Sequence, residues 1–152
     1  MRDKPDLGVL LGTAYAAFVE QLRAQLAEAG HQSLHASFGY VARALAERPM
    51  KLRELADHLG ITSQGAIKIV DQLEADGLVA RIADPADGRA KKLQLTRRGR
   101  DTLGAARAIH AKLEKRLVAS VGAPHVASLR LALTALIDCA ERDGVRARLR
   151  PV

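Results

Sequence analysis

The chain has 152 residues and 16.3 kDa; 48% of it is apolar and 27% charged, the balance of one globular domain with its own core rather than of a disordered chain. Lys and Arg number 24 against 17 Asp and Glu, a net charge of +7 that makes a polyanion such as nucleic acid a candidate partner. A single cysteine excludes a disulfide framework and an all-cysteine metal site within one chain.

The charge is unevenly placed. Residues 1–42 carry 3 basic and 4 acidic groups, residues 43–100 carry 12 and 8, and residues 101–152 carry 9 and 5. All the aromatic residues (Tyr15, Phe18, Phe38 and Tyr40) lie in the N-terminal part. A basic middle without aromatics argues against stacking on single strands and leaves duplex recognition open. The N-terminus has no basic stretch before its short apolar run, and nothing approaches the roughly eighteen apolar residues of a membrane span, so a cytoplasmic protein is expected.

Leu7, Leu11, Ala14, Phe18, Leu22 and Leu26 recur at spacings of three and four, which predicts a helix over 7–29 stopped by Gly30. A second helix is expected over 33–47, capped by Ser33 and closed by Pro49. A third, over 51–59, ends at Gly60. Thr62 then offers a hydroxyl cap for a fourth helix, in which Ala66, Ile69, Val70 and Leu73 form one buried stripe. Two short helices joined by a glycine-containing turn are the pattern of a helix-turn-helix.

Leu78, Val79 and Ile82 suggest one short strand, and Leu93 and Leu95 another. Asp84, Pro85, Asp87 and Gly88 are turn residues between them, so a β-hairpin with a long basic tip is expected. A long helix over 97–120 carries Leu103, Ala106, His110, Leu113 and Leu117 as a coiled-coil-like seam, on which His110 reads as a buried register residue. After Gly122 and Pro124 a last helix over 125–142 has Leu129, Leu133, Leu136 and Ala140 on one stripe, followed by a basic tail.

The run LRELADHLGITSQGAIKIVDQLEADGLVARIADPADGRAKKLQLTRRG, Leu52 to Gly99, resembles the MarR family of winged helix-turn-helix regulators. The resemblance rests on Leu55-Ala56, Leu59-Gly60, Val70-Asp71-x-Leu73-Glu74-x-x-Gly77-Leu78-Val79, the wing motif Asp84-Pro85-x-Asp87-x-Arg89, and the closure Leu95-Thr96-x-x-Gly99. Gly65, inside the fourth helix, departs from the pattern. The resemblance implies a mainly α fold with a small β-hairpin wing. It is a single domain in which 33–99 binds DNA and the flanking helices, 7–29 and 100–142, form a homodimer. Independently, a winged module of about fifty residues cannot cover the apolar stripes of those outer helices, and exposed stripes favour self-association.

In such a fold the fourth helix enters the major groove. The stripe at 66, 69, 70 and 73 leaves Ser63, Gln64, Ile67, Lys68 and Asp71 pointing outward. Gln64 can read adenine, Ile67 can meet a thymine methyl, Lys68 can take a guanine or a phosphate, and Ser63 suits either kind of base. Thr62 can add a phosphate contact. By resemblance Arg89 enters the minor groove with Asp87 holding its guanidinium, and Lys91 and Lys92 support the wing. Arg53, His58, Arg97 and Arg98 are candidate phosphate contacts.

The family often responds to a small aromatic or anionic effector bound between the dimer helices and the winged module. Tyr15, Phe18, His35, Phe38 and Tyr40 can line that space; core packing is the competing assignment. No cofactor is called for. Some relatives sense peroxide through a thiol near the N-terminal helices, whereas Cys139 lies in the last helix and reads as a small hydrophobe. The histidines form no strong metal motif: His31 and His35 have helical spacing, but a helix start at Ser33 falls between them. A zinc-sensing role stays open. No Gly-rich phosphate loop, G-x-S-x-G or H-E-x-x-H suggests an enzyme. The rival readings are a winged protein-interaction module and a non-specific architectural DNA binder.

Overall fold

The computed structural model describes residues 5–31 and 35–145. Six helices and one hairpin follow in the order α1 (Leu7–Glu28), α2 (Phe38–Glu47), α3 (Leu52–Leu59), α4 (Ser63–Ala75), β1 (Val79–Asp84), β2 (Asp87–Leu95), α5 (Arg97–Val121) and α6 (Ala123–Arg142). Among these residues no single helix is long and apolar enough to cross a membrane.

The core is built by α2, α3, α4 and the hairpin. Val41, Ala42, Leu55, Leu59, Val70, Leu73, Leu78, Val79 and Leu93 are essentially without solvent contact. The expected stripe on α4 faces this core, with Ala66, Val70 and Leu73 buried and Ile69 half-buried. The α3–α4 turn needs one residue in the left-handed region, and Gly60 supplies it at φ +67°. A smaller cluster of Leu26, Ile109 and Leu113, flanked by Phe18 and Leu22, fastens α1 to α5. The chain then turns by 117° at Gly122 into α6.

Two expectations about local structure are corrected. The second helix begins at Phe38, not near residue 33. A turn precedes it, in which Phe38 N–H donates to the His35 carbonyl at 2.9 Å and Ser37 N–H donates to His35 Nδ1 at 3.1 Å. The proposed cap Ser33 lies outside the described residues, as does the basic tail from position 146.

The strands run further than expected, to Asp84 and Asp87 with Pro85 and Ala86 in the turn, but the register shifts between Ala83 and Asp84: Ala83 pairs with Lys91 and Asp84 with Asp87, so Gly88, Arg89 and Ala90 form an irregular basic tip on β2. The buried Asp84 closes that turn by accepting from Ala86 N–H at 3.1 Å. Lys92 Nζ and Lys51 Nζ stand 3.0 and 3.7 Å from its carboxylate. The Ala86 N–H and then the Lys92 ammonium hold this carboxyl below the usual carboxylate range. At the other end, Met50 and Leu93 exchange two backbone hydrogen bonds, 3.1 and 2.7 Å, which tie the hairpin to the α2–α3 connection.

The Leu-Thr-x-x-Gly closure joins three elements at one point. The Thr96 hydroxyl donates to the Gly77 carbonyl at 2.6 Å, just beyond α4, and accepts from Gly99 N–H at 3.0 Å in the first turn of α5. Gly99 is buried, and a Cβ there would stand 2.1 Å from the Leu78 carbonyl oxygen.

The outer helices are poorly covered. In α6 only Val126 is buried, while Leu129, Leu133, Leu136 and Ile137 are exposed. Leu7, Val9 and Leu10 of α1 and Leu117 and Val121 of α5 are exposed too. Cys139, expected to act as a small hydrophobe, is exposed and accepts a hydrogen bond from Arg142 Nη2 at 2.9 Å.

Candidate nucleic-acid interface

Helix α4 begins on its predicted cap: the Thr62 hydroxyl accepts from Gly65 N–H at 3.1 Å. Gly65 therefore occupies the third helical position, where its N–H meets the cap, and a Cβ there would come within 3.2 Å of the Thr62 hydroxyl oxygen. Because the core stripe is buried, Thr62, Ser63, Gln64, Ile67 and Lys68 are all exposed. Ile67 is 40% exposed, unusual for a β-branched residue between two polar side chains.

Asp71, also on the outward side of α4, is not free. Arg81 of β1 places Nη2 2.6 Å from Asp71 Oδ1 and pairs Nη1 with Glu74. One guanidinium thus bridges two carboxylates beside the exposed face, offsetting one of their two negative charges. Sequence reasoning missed Arg81. Its signal was an arginine flanked by the apolar residues Val79, Ala80, Ile82 and Ala83, following a helix with acids at 71 and 74.

On β2, Asp87, Arg89 and Lys91 are all exposed, with Arg89 in the irregular stretch where the hairpin register shifts. The expected contact between the Asp87 carboxylate and the Arg89 guanidinium is not made. Asp87 Oδ1 instead accepts from the Arg89 backbone N–H at 3.1 Å, which leaves the guanidinium extended into solvent. Lys92 is turned the other way, toward Asp84. Arg53 and His58 of α3, and Arg97 and Arg98 at the start of α5, are exposed.

The five candidate effector residues come together. Tyr15, Phe18, His35, Phe38 and Tyr40 all line one cavity of about 220 Å³ between α1, α2 and α5. Phe38 also belongs to the core, so for that residue both assignments hold. The Tyr15 and Tyr40 hydroxyls meet at 2.6 Å across the cavity. Burial, then the Tyr15 hydroxyl, push the Tyr40 pKa up to about 12, so it stays a phenol. His110, expected on a buried seam, is half-buried on this cavity's wall, its ring 4.9 Å from that of Phe18. Arg43 Nη2 lies 3.3 Å from His110 Nε2. Arg43 was not foreseen. Its signal is the i, i+3, i+4, i+7 spacing of Ala36, Gly39, Tyr40 and Arg43, all of which line the cavity.

His31 is a structural residue: its Nδ1 is 2.9 Å from the hydroxyl of the fully buried Thr102 on α5.

A helix-turn-helix whose second helix exposes a polar face, followed by a basic two-stranded wing, defines a winged helix-turn-helix protein of the duplex-DNA-binding class. The comparisons agree. The MarR family model matches residues 39–90. The HTH-type transcriptional repressor Mb2911 of Mycobacterium bovis is 31% identical over 125 residues, covering 82% of this chain and 88% of that protein. Among solved structures, the transcriptional repressor CouR bound to a 23-mer DNA duplex is 31% identical with a TM-score of 0.68, covering 86% of this chain and 92% of that one. The Mycobacterium tuberculosis MarR family protein Rv2887, in complex with salicylic acid, is 30% identical with a TM-score of 0.62, covering 90% and 99%. The chain belongs to the MarR family and is a transcriptional regulator.

Proposed function

We propose that the protein is a homodimeric, ligand-responsive repressor that binds a pseudo-palindromic operator in the cytoplasm, acting by binding and not by catalysis. The observation that carries this reading is the exposed face of α4: Ser63, Gln64, Ile67 and Lys68 pair hydrogen-bonding groups with one apolar contact. A helix serving only as a solvated surface has no use for Ile67 there, whereas a thymine methyl does. In this reading Gln64 reads adenine, Lys68 takes guanine or phosphate, and Thr62 and Arg53 position the module on the backbone. Arg89 enters the minor groove with Lys91 beside it, and Asp87 shapes the strand that presents Arg89. Lys92 holds the hairpin turn through Asp84 rather than touching DNA.

The winged module is 33–99, and the helices within 7–29 and 100–142 form the dimer. The uncovered apolar residues of α1, α5 and α6 support this, because a soluble monomer rarely leaves so large a patch exposed. The α1–α2–α5 cavity is the effector site. It lies between the outer helices and the winged module, and the salicylic acid complex of Rv2887 supports an aromatic ligand class. Such a ligand releases DNA only through different affinities for the two arrangements of the modules.

The test is fluorescence anisotropy on the duplex upstream of the protein's own gene, with a scrambled duplex as control, across a salt series. One dimer per site, with a preference of about a thousandfold and a steep salt slope, is the expected result. Equal weak binding to both duplexes would replace the repressor with an architectural binder. Arg89→Ala should weaken operator binding by about 1–3 kcal/mol while sedimentation still shows a dimer; unchanged affinity would remove Arg89 from the interface.

A second variant probes the charge balance of α4. Arg81→Met leaves Asp71 and Glu74 unpaired beside the DNA-facing surface. Operator affinity should fall by about tenfold at low salt, and the deficit should shrink as salt screens the repulsion. A deficit independent of salt would mean that Arg81 acts through packing alone.

A further inference from the structure

This inference rests on the effector reading of the α1–α2–α5 cavity and adds its chemistry. We propose that Arg43 and His110 form the anion-recognition pair of that cavity, and that an aromatic carboxylate binds there together with one proton, which His110 takes up.

The cavity walls are apolar apart from a few groups, and those groups are one-sided. Arg23 and Arg43 line it, Arg23 already paired with Glu20 at 3.0 Å, and among the described residues no Asp or Glu lines the cavity itself, so Arg43 is the guanidinium without a carboxylate partner there. What the walls lack is an anion. Arg43 Nη2 faces His110 Nε2 at 3.3 Å. A guanidinium has donors only, so Nε2 must be the acceptor and the imidazole neutral, its proton on Nδ1. Burial, then the Arg43 charge, keep His110 below the ordinary histidine value in this state.

The other groups around the ring leave this unchanged. Within the cavity α1 contributes Tyr15 and Arg23, and the segment through α2 adds His35 and Tyr40. On the ring's far side, in the hollow shared with α6, are Arg116 and the pair Arg130–Glu114 at 2.5 Å, in which the one carboxylate is already matched.

A carboxylate entering between Arg43 and His110 reverses the local sign. One oxygen accepts from the guanidinium. The other accepts from Nε2–H once the ring has taken a proton from solvent, and the Arg43–His110 hydrogen bond is given up. Phe18, whose ring meets that of His110 at a 39° tilt, supplies an apolar surface for the ligand ring. The free ring titrates below the ordinary value and the anion-bound ring above it. Between those two values a fall in pH tightens binding, approaching tenfold per pH unit when a full proton is taken up, and beyond either value the dependence ends. Benzoate-type carboxyls titrate near pH 4, well below this window. Mild acidification thus lowers the effector concentration needed to free the operator.

The experiment is isothermal titration calorimetry with salicylate as probe, near pH 6.5, in two buffers of different ionisation enthalpy. The native protein should take up several tenths of a proton per protomer, and Kd should fall about threefold to tenfold from pH 7.5 to pH 6. His110→Gln, its fold checked by circular dichroism, keeps a donor but has no titrating ring; it should bind salicylate with no proton uptake and no pH dependence. Phenol, uncharged at this pH, should bind the native protein without proton uptake. Should His110→Gln fail to fold, Arg43→Met decides instead: salicylate affinity should drop more than tenfold. Salicylate binding by the native protein without proton uptake would overturn the inference, as would full uptake in His110→Gln. No salicylate binding at all would overturn the effector reading of the cavity and this inference with it.

Discussion

Gly99→Ala should cost about 3 kcal/mol or more of stability and lower Tm by roughly 10 °C, measured by thermal circular dichroism at fixed protein concentration. The cause is local and steric. The new Cβ would sit 2.1 Å from the Leu78 carbonyl oxygen and 3.2 Å from a Leu95 methyl. Neither the carbonyl nor the helix start can retreat cheaply. Thr96 N–H donates to the same Leu78 carbonyl at 3.1 Å, and the Thr96 hydroxyl binds both the Gly77 carbonyl and Gly99 N–H. Gly104→Ala is the control. It lies one and a half turns further along α5 in open space, where alanine should be neutral or stabilising by up to about 1 kcal/mol. Equal Tm values for the two variants would show that the closure has slack.

Leu136→Glu should convert the proposed dimer to a monomer at micromolar concentration and weaken operator binding by about 100-fold or more, because each module would then hold its half-site without the other's help. Leu136 is 48% exposed in the single chain, so the charge costs the folded protomer little. Burying an unpaired carboxylate in an interface built from Leu129, Leu136 and Ile137 costs much more. Sedimentation velocity reads the first effect and anisotropy the second. A variant that stays dimeric would move the interface off this face of α6. Arg89→Ala should lower affinity without changing mass, so the two variants separate interface loss from contact loss.

The helices were legible wherever an apolar stripe repeats every three or four residues. This covers α1, α3, α4, α5 and α6 to within two residues, because burial of a stripe is what selects them. The start of α2 was not legible. A hydroxyl at Ser33 looked like a cap, whereas the chain uses the His35 ring and carbonyl to build a turn first. The wing strands were read too short for a related reason. A two-stranded hairpin in solvent needs no apolar alternation at its tip, and its end is set by the buried Asp84, whose partners Lys51 and Lys92 are distant in sequence. The outward face of α4 followed from the helical period alone. Its charge balance did not, because Arg81 reaches Asp71 and Glu74 only after β1 has folded back along the helix. The aromatic residues of the cavity were visible as types. The arginine and histidine that give it polarity come from α2 and α5, sixty-seven positions apart.

The closure at Thr96 gives α5 the character of a lever arm. Its 25 residues span about 37 Å at 1.5 Å per residue. One end is pinned through Thr96 to Gly77, two residues past the recognition helix, and Leu103, Ala106 and His110 form part of the cavity wall along its length. With no play at the pin, a tilt of about 5° at the far end carries the recognition helix through about 3 Å over that length. That is close to the rise of one base pair, so in the proposed dimer a small change of fit in the cavity would be enough to put the two half-sites out of step.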